Sequence, residues 1–329
     1  MNNLVKSLAA AVLAAASGVA LAQVQIKVGH DQPDRSTHHQ AALKWKEIVE
    51  AKSQGKVQVR LFPAMTLGSG TQMVEQVQAG ALEAAILPTG WVAPIAPSVQ
   101  ILDLPFLFPS REVLYRVIDG PTGLEILKPL NKANIEGVTF WESGFKQFTG
   151  NFPIREPKDY NGTKIRTMPA QVIQEQFKAF GATPVAIDFK ELYSALQQRV
   201  VDGQENPIAT IALMRFYEVQ KYLTLSDHGF IAYVFMLNKP FLDKQPPATR
   251  SLLVDSAREA GQYQRELIVK SEAEHLDTFR KAGIEITKLT PEQRARFEQA
   301  SRPVYDWYVA RHGTQTLDLV RKDVKAAGK

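Results

Sequence analysis

The sequence predicts an α/β protein built from two lobes, with a ligand cleft between the lobes and long helices that connect them. Three observations support this class. Removal of an export signal, described below, leaves 307 of the 329 residues, which is more than a single domain usually holds. Strand-like and helix-like segments alternate in both halves of the chain, a pattern typical of sheets covered by helices. A long helical stretch, residues 246–282, follows them.

The N-terminal residues have the pattern of a cleaved export signal. Lys6 supplies a positive charge, residues 8–21 are small or apolar, and Ala20-Leu21-Ala22 fits the small-x-small site that signal peptidase cuts. The apolar run is too short to span a bilayer comfortably. We therefore predict cleavage after Ala22 and a mature protein located in the periplasm.

The first half of the mature chain alternates between two hydrophobic periods. Strand-like segments rich in apolar and β-branched residues cover 24–29, 57–62 and 83–87. Segments with apolar residues at helical spacing cover 37–52 and 72–79. These units predict a largely parallel sheet with helices packed on it.

The second half repeats this alternation. Helical segments are expected at residues 171–180, 190–198 and 208–216, and strands at 184–187 and 200–204. After the long stretch, Thr290 followed by Pro291 marks a helix start, and helical spacing continues to Lys325.

The expected lobes are each formed from two stretches of the chain. We assign residues 23–142 and about 228–270 to the first lobe, and residues 143–227 and about 271–329 to the second. In sheets of this kind, ligands bind in the crevice at the carboxyl ends of the strands.

Composition excludes several classes of function. The chain has no cysteine, so it has neither disulfides nor thiol catalysis. Its formal net charge of +5 is modest, and no basic block with interleaved aromatic residues indicates nucleic-acid binding. Motifs of serine hydrolases, zinc proteases and phosphate-binding loops are absent from the sequence. We therefore expect a non-enzymatic protein without a cofactor.

Several motifs occur in a fixed order along the mature chain. They are FP at 62–63, LG at 67–68, LPFLF at 104–108, DYNGTKIRTMP at 159–169, FGATP at 180–184, ELYSALQ at 191–197 and VDGQENP at 201–207. In this order they resemble the DctP-type substrate-binding proteins of tripartite ATP-independent periplasmic (TRAP) transporters. The resemblance covers essentially the whole mature chain.

The resemblance implies a bilobed periplasmic binding protein fold and a role in transport. Members of the family bind small organic acids between two lobes and deliver them to a permease of small and large membrane subunits, driven by an ion gradient. A monomer without metal is expected. The sequence leaves one alternative open, a carboxylate-binding protein that serves a sensor or an ATP-driven importer.

Three residues match the ligand-binding positions of the family. Arg166 stands where the family arginine forms a bidentate salt bridge with the ligand carboxylate, a geometry that a planar guanidinium fits. Asn206 resembles the ligand-binding asparagine, although it could instead cap the helix after Pro207. Phe189 lies where an aromatic residue often covers the ligand, although a lone Phe is usually core.

One position departs from the family pattern. Lys146 replaces an arginine that gives many members a second cationic contact with the ligand. Lysine keeps the charge but lacks the two-pronged donor geometry of arginine. We expect Lys146 to be a ligand-binding residue that contributes less than Arg166, with a loss of roughly 1 kcal/mol on its removal if it sits at the rim of the cleft.

Further candidates follow two predicted strands of the first lobe. His30 and Asp31 come after the first strand, and Thr89 and Trp91 after the third, so all four are expected at the edge of the cleft. His30 has other histidines nearby in sequence, but their spacing does not indicate a metal site.

Aromatic residues are frequent around these candidates. They could line the cleft or pack in the core, and the sequence leaves both open. The set consists of Trp91, Trp141, Phe145, Phe148 and Phe189.

Overall fold

The computed structural model describes residues 23–328. The predicted export signal, residues 1–22, lies outside this range and stays a prediction. Between residues 23 and 328, every helix is too short or too polar to cross a membrane.

Ten strands form the sheets of the molecule. They are β1 (Val24–His30), β2 (Val57–Phe62), β3 (Ala84–Pro88), β4 (Ile135–Gly150), β5 (Lys164–Thr167), β6 (Thr183–Ala186), β7 (Gly203–Pro207), β8 (Tyr222–Leu225), β9 (Phe230–Asn238) and β10 (Glu285–Lys288).

The α-helices cover both sheets. They are α1 (Thr37–Lys52), α2 (Gly70–Ala79), α3 (Thr89–Val92), α4 (Arg111–Ile118), α5 (Pro121–Leu127), α6 (Gln171–Ala179), α7 (Leu192–Gln197), α8 (Ile208–Leu213), α9 (Lys239–Asp243), α10 (Pro247–Lys281), α11 (Pro291–Ala300), α12 (Arg302–His312) and α13 (Gln315–Ala327).

Strand β4 belongs to two sheets at once. Its first part, residues 135–145, pairs antiparallel with β9, and the first sheet has the order β2-β1-β3-β9-β4. Its last part, residues 146–150, pairs antiparallel with β7, and the second sheet continues as β4-β7-β5-β6. Strand β8 also pairs with the end of β4 and carries β10 on its other side. The chain therefore crosses from one sheet to the other within a single strand.

Most predicted elements are present within a few residues of the expected positions. The helix predicted at 37–52 is confirmed with these bounds, and Ser36 caps it by accepting a hydrogen bond from the His39 amide. Thr290 is the N-cap residue of α11 and Pro291 is the first residue of the helix, as expected. The strand predicted at 200–204 lies three residues later, at Gly203–Pro207.

The two long central strands, β4 and β9, are the main feature that the hydrophobic periodicity did not predict. All nine residues of β9 are buried. Because both faces of the strand are covered, residues 230–237 show no alternation of apolar and polar side chains. Strand β4 has register shifts between Gly137 and Thr139 and between Glu142 and Gly144, which interrupt its period of two.

The long stretch after β9 is one helix, α10, of 35 residues. It packs against α1 and β4 and also contacts α8, so it lies beside both sheets. The last helix, α13, packs against α4 and α5, helices of the predicted first lobe, whereas its residues were assigned to the second. The lobe boundaries themselves stay a prediction.

Candidate ligand-binding site

Arg166 is the charged residue around which the candidate site is organised. It lies in β5, and only 3% of its surface is exposed. Its Nε donates a hydrogen bond of 3.0 Å to the carbonyl oxygen of Ile187, which follows the neighbouring strand β6. Its Nη2 atom is buried and has no hydrogen-bond partner among residues 23–328. The guanidinium is thus anchored at one edge, and a buried donor remains available at another.

Two aromatic rings flank this guanidinium. The Cζ atom of Arg166 lies 5.9 Å from the ring centroid of Trp91 and 5.9 Å from that of Phe189. Trp91 belongs to α3, directly after the first-sheet strand β3, and Phe189 follows the second-sheet strand β6. Gly90, beside Trp91, lies against Met168, which follows β5: a Cβ atom at Gly90 would come within 2.9 Å of the Met168 side chain. The two sheets therefore meet at Arg166.

Burial changes the protonation equilibria of the site. It lowers the pKa of Arg166 to about 10, although the negative charges of Asp188, Glu205 and Asp31 oppose this effect. Burial also raises the pKa of Asp31 to about 7, although the Tyr233 hydroxyl donates a hydrogen bond of 3.1 Å to its Oδ2. Arg166 remains charged at neutral pH, and Asp31 can change its protonation state near neutrality.

Other buried polar atoms near the ends of these strands also lack partners. They include Asp31 Oδ1 and Thr167 Oγ1, for which no hydrogen bond is found within residues 23–328; the Thr89 hydroxyl lies beside the buried Asp103. A buried polar atom is normally paired, so several unpaired ones near a buried arginine require an explanation. Donors and acceptors of this kind can bind an anion that carries further polar groups.

Lys146 has a carboxylate partner inside the protein. It is fully buried, so the condition of a rim position is not met, and its Nζ forms a salt bridge of 2.6 Å with Glu205 Oε1. The other carboxylate oxygen, Oε2, lies 2.7 Å from His228 Nε2 and 2.8 Å from Gln176 Nε2. Lys146 lies where β4 passes into the second sheet, and Glu205 lies in β7, the strand paired with that part of β4.

Glu205 and His228 were missed as site residues. Burial by itself opposes ionisation of Glu205, but the charge of Lys146 and the hydrogen bond with His228 outweigh it and lower the pKa of Glu205 to about 2. Burial lowers the pKa of His228 to about 4, and its ring stacks on Phe148 with centroids 3.7 Å apart. The VDGQENP motif contains Glu205 and could have indicated it; His228 lies in no quoted motif.

The remaining predicted residues lie close to the strands that carry the site. Asn206 lies in β7 opposite Gln147, and its Nδ2 donates to the side chain of Gln204. The alternative that Asn206 caps the following helix is wrong, because Pro207 is the N-cap residue of α8. Its role in binding a ligand stays a prediction.

His30 is directed toward a neighbouring histidine. Its Nε2 lies 3.0 Å from His39 Nδ1, and burial lowers the pKa of His30 to about 3, with the nearby His39 and His38 acting in the same direction. Within residues 23–328, no three histidine or acidic side chains are grouped closely enough to hold a metal ion.

The predicted aromatic set separates into two groups. Trp91 and Phe189 flank Arg166, as described above. Trp141 is buried against α10, where its Nε1 donates a hydrogen bond of 3.0 Å to the carbonyl oxygen of Ala257. Phe148 packs edge-on against Phe177, and Phe145 packs edge-on against Phe230. The last three residues are therefore packing residues.

The fold and the buried arginine together define a class of protein. Two sheets joined by one shared strand and one long helix, with a buried cationic group where the sheets meet, are the architecture of a bilobed solute-binding protein. The chain belongs to bacterial extracellular solute-binding protein family 7 (DctP), whose sequence profile matches residues 28–312.

Relatives and solved structures agree with this assignment. The chain is 32% identical over 316 residues to the C4-dicarboxylate-binding periplasmic protein DctP of Rhodobacter capsulatus, covering 95% of each chain. A TRAP periplasmic solute-binding protein from Desulfovibrio salexigens with bound orotic acid is 32% identical with a TM-score of 0.90, covering 93% of this chain and 100% of that one. The sugar acid binding protein DctPAm from Advenella mimigardefordensis, in complex with galactonate, is 31% identical with a TM-score of 0.89, covering 93% and 99%. The expected family and fold are confirmed.

Proposed function

We propose that this protein captures a small organic acid in the periplasm and delivers it to a TRAP-type permease for uptake driven by an ion gradient. The observation that carries the proposal is the Nη2 donor of Arg166, which is buried and has no partner within residues 23–328. A carboxylate is the anion that a guanidinium binds with two parallel hydrogen bonds. The family assignment and the acids named for the similar structures support the same class of ligand.

The surroundings of Arg166 suit an acid with an apolar or planar face. Trp91 and Phe189 approach from opposite sheets, so a bound acid would contact both lobes. Contacts with both lobes favour the closed arrangement over an open one. Such a difference between states is what a permease needs in order to recognise the loaded protein.

The first experiment identifies a ligand and tests the role of Arg166. A thermal-shift screen of organic acids should give hits, because a ligand at 100 times its Kd adds about 2.7 kcal/mol of stability. Calorimetric titration of Arg166→Ala with the tightest acid should then show a loss of about 2–5 kcal/mol of binding free energy. Arg166→Lys should also bind poorly, because it keeps the charge without the paired donors.

The control is Arg302→Ala, which removes an exposed arginine at the first residue of α12. This variant should bind with wild-type affinity. If Arg166→Ala binds the acid as tightly as wild type, Arg166 is not the carboxylate site.

A second experiment separates the permease from the alternative importers. Uptake of the identified acid by cells should stop when the gene for this protein is deleted. It should also stop when the ion gradient is dissipated at constant ATP. Uptake that follows ATP and ignores the gradient would contradict a TRAP-type partner.

A further inference from the structure

Lys146 and Arg166 are both buried near the place where the sheets meet, but only Lys146 has a carboxylate partner at salt-bridge distance. Lys146 Nζ lies 2.6 Å from Glu205 Oε1, whereas the hydrogen bond that Arg166 makes within residues 23–328 runs from Nε to a backbone carbonyl oxygen. With a pKa lowered to about 2, Glu205 carries a full negative charge at neutral pH. The charge of Lys146 is therefore compensated inside the protein.

Neighbouring residues fix both members of the ion pair. The second oxygen of Glu205 is bound by His228 and Gln176. The lysine stem runs against Gly229, where an added Cβ atom would lie 2.5 Å from the Cε of Lys146. If Lys146 turned toward a ligand, Glu205 would become an unpaired buried carboxylate, which is strongly unfavourable. The charge of Lys146 is thus already compensated, and a ligand carboxylate gains less from it than from the unpaired Arg166.

Another carboxyl group lies near this pair. Asp103 is fully buried. Burial raises the pKa of Asp103 to about 6, and the charge of Lys146 and the nearby Thr89 hydroxyl partly oppose that shift. Asp103 therefore adds negative charge at neutral pH. A second ligand carboxylate near Lys146 would meet the negative charges of Glu205 and Asp103.

We propose that the site accepts acids with a single carboxylate and rejects dicarboxylates, and that Glu205 sets this preference by retaining Lys146. The inference rests on the proposed function, since it assumes that Arg166 holds the ligand carboxylate. Asp31 Oδ1 and Thr167 Oγ1, which are buried and unpaired within residues 23–328, can accept hydrogen bonds from hydroxyl groups. The preferred ligands are therefore hydroxylated monocarboxylates.

The wild-type protein provides the primary test. Calorimetric titrations compare acids of equal carbon number, D-erythronate with succinate and L-malate, and D-galactonate with adipate and galactarate. The tightest ligand should be a hydroxylated monocarboxylate, at least tenfold tighter than every diacid of the same length. A diacid as the tightest ligand, or a ratio below tenfold, overturns the inference and leaves carboxylate binding itself intact.

A variant tests whether Glu205 is the determinant. Glu205→Gln retains the shape of the side chain and frees the charge of Lys146, so the ratio of diacid to monocarboxylate affinity should rise at least tenfold. Glu47→Gln, a change at an exposed glutamate of α1, should leave the ratio unchanged. An unchanged ratio in a folded Glu205→Gln protein removes Glu205 as the determinant. If that variant does not fold, the double variant Lys146→Met/Glu205→Gln, which removes both charges, must retain the wild-type preference for monocarboxylates.

The outcomes also separate this inference from the function on which it rests. If no acid in either series binds, or if binding does not depend on Arg166, the proposed function fails and this inference fails with it. If monocarboxylates and diacids bind equally and both depend on Arg166, only the inference fails.

Discussion

Arg166 and Lys146 show two ways in which a protein can bury a positive charge. Lys146 has an ionic partner in Glu205, whose second oxygen is bound by His228 and Gln176. Arg166 has one backbone hydrogen bond, two aromatic rings at 5.9 Å and an unpaired donor. A paired buried charge acts within the fold, whereas an unpaired one can bind a ligand. The two residues therefore differ in what their removal should change.

The largest expected effect is a loss of stability when Lys146, the cation with an ionic partner, is replaced. Lys146→Met leaves Glu205 buried without its counter-charge and should lower the free energy of unfolding by about 3–5 kcal/mol. The double variant Lys146→Met/Glu205→Gln should recover most of this loss, because both charges are gone. Urea unfolding at pH 7 measures both, with Lys52→Met as the exposed control. A loss below about 0.5 kcal/mol for Lys146→Met would show that the pair is not a buried one.

The next effect is a pH dependence in the same network. The pKa of His228 is about 4 in the folded protein, below its ordinary 6.5, so the unfolded chain takes up a proton first as the pH falls. Stability from His228 is therefore lost as the pH falls from about 6.5 to about 4, by on the order of 3 kcal/mol.

This pH dependence is measured as a difference between two proteins. The free energies of unfolding of wild type and His228→Gln should converge as the pH is lowered through this window. A gap that stays constant from pH 7 to pH 4 would mean that His228 does not titrate differently in the folded and unfolded states.

A smaller effect is expected at the aromatic side of the unpaired arginine. Trp91→Leu removes one of the two rings beside Arg166 and should weaken acid binding by about 1–2 kcal/mol. Trp307→Leu is the matched control, because Trp307 lies 5.0 Å from Arg311 in an equivalent contact away from the site. Calorimetry on the two variants should show loss only for Trp91→Leu. Equal affinities would indicate that Trp91 does not contact the ligand.

The smallest effect is expected on the stability of the ligand-free protein when Arg166 is replaced. Arg166→Met should abolish tight acid binding yet change the ligand-free stability by less than about 1 kcal/mol, because no protein carboxylate loses a salt bridge at contact distance. Urea unfolding without ligand tests this. A loss as large as that of Lys146→Met would show that Arg166 is a structural residue, and the contrast between the two would disappear.

The sequence by itself determined the local elements and the family. Hydrophobic period, caps and prolines depend on neighbouring residues, so α1, the start of α11 and most short strands could be predicted within a few residues. The motif around Arg166 also identified the family and a candidate cationic residue. These features need no knowledge of which distant segments meet.

Only the tertiary structure decided how the charges pair. Lys146 and Glu205 are 59 residues apart, and Glu205 and His228 are 23 apart, so no local pattern indicates that they meet. Their contact depends on the register between β4 and β7, which places Lys146 opposite Pro207 and Phe148 opposite Glu205. Register and pairing between distant strands arise from packing of the whole molecule. For that reason the sequence suggested Lys146 only as a weaker ligand contact, and the fold placed it in a buried ion pair.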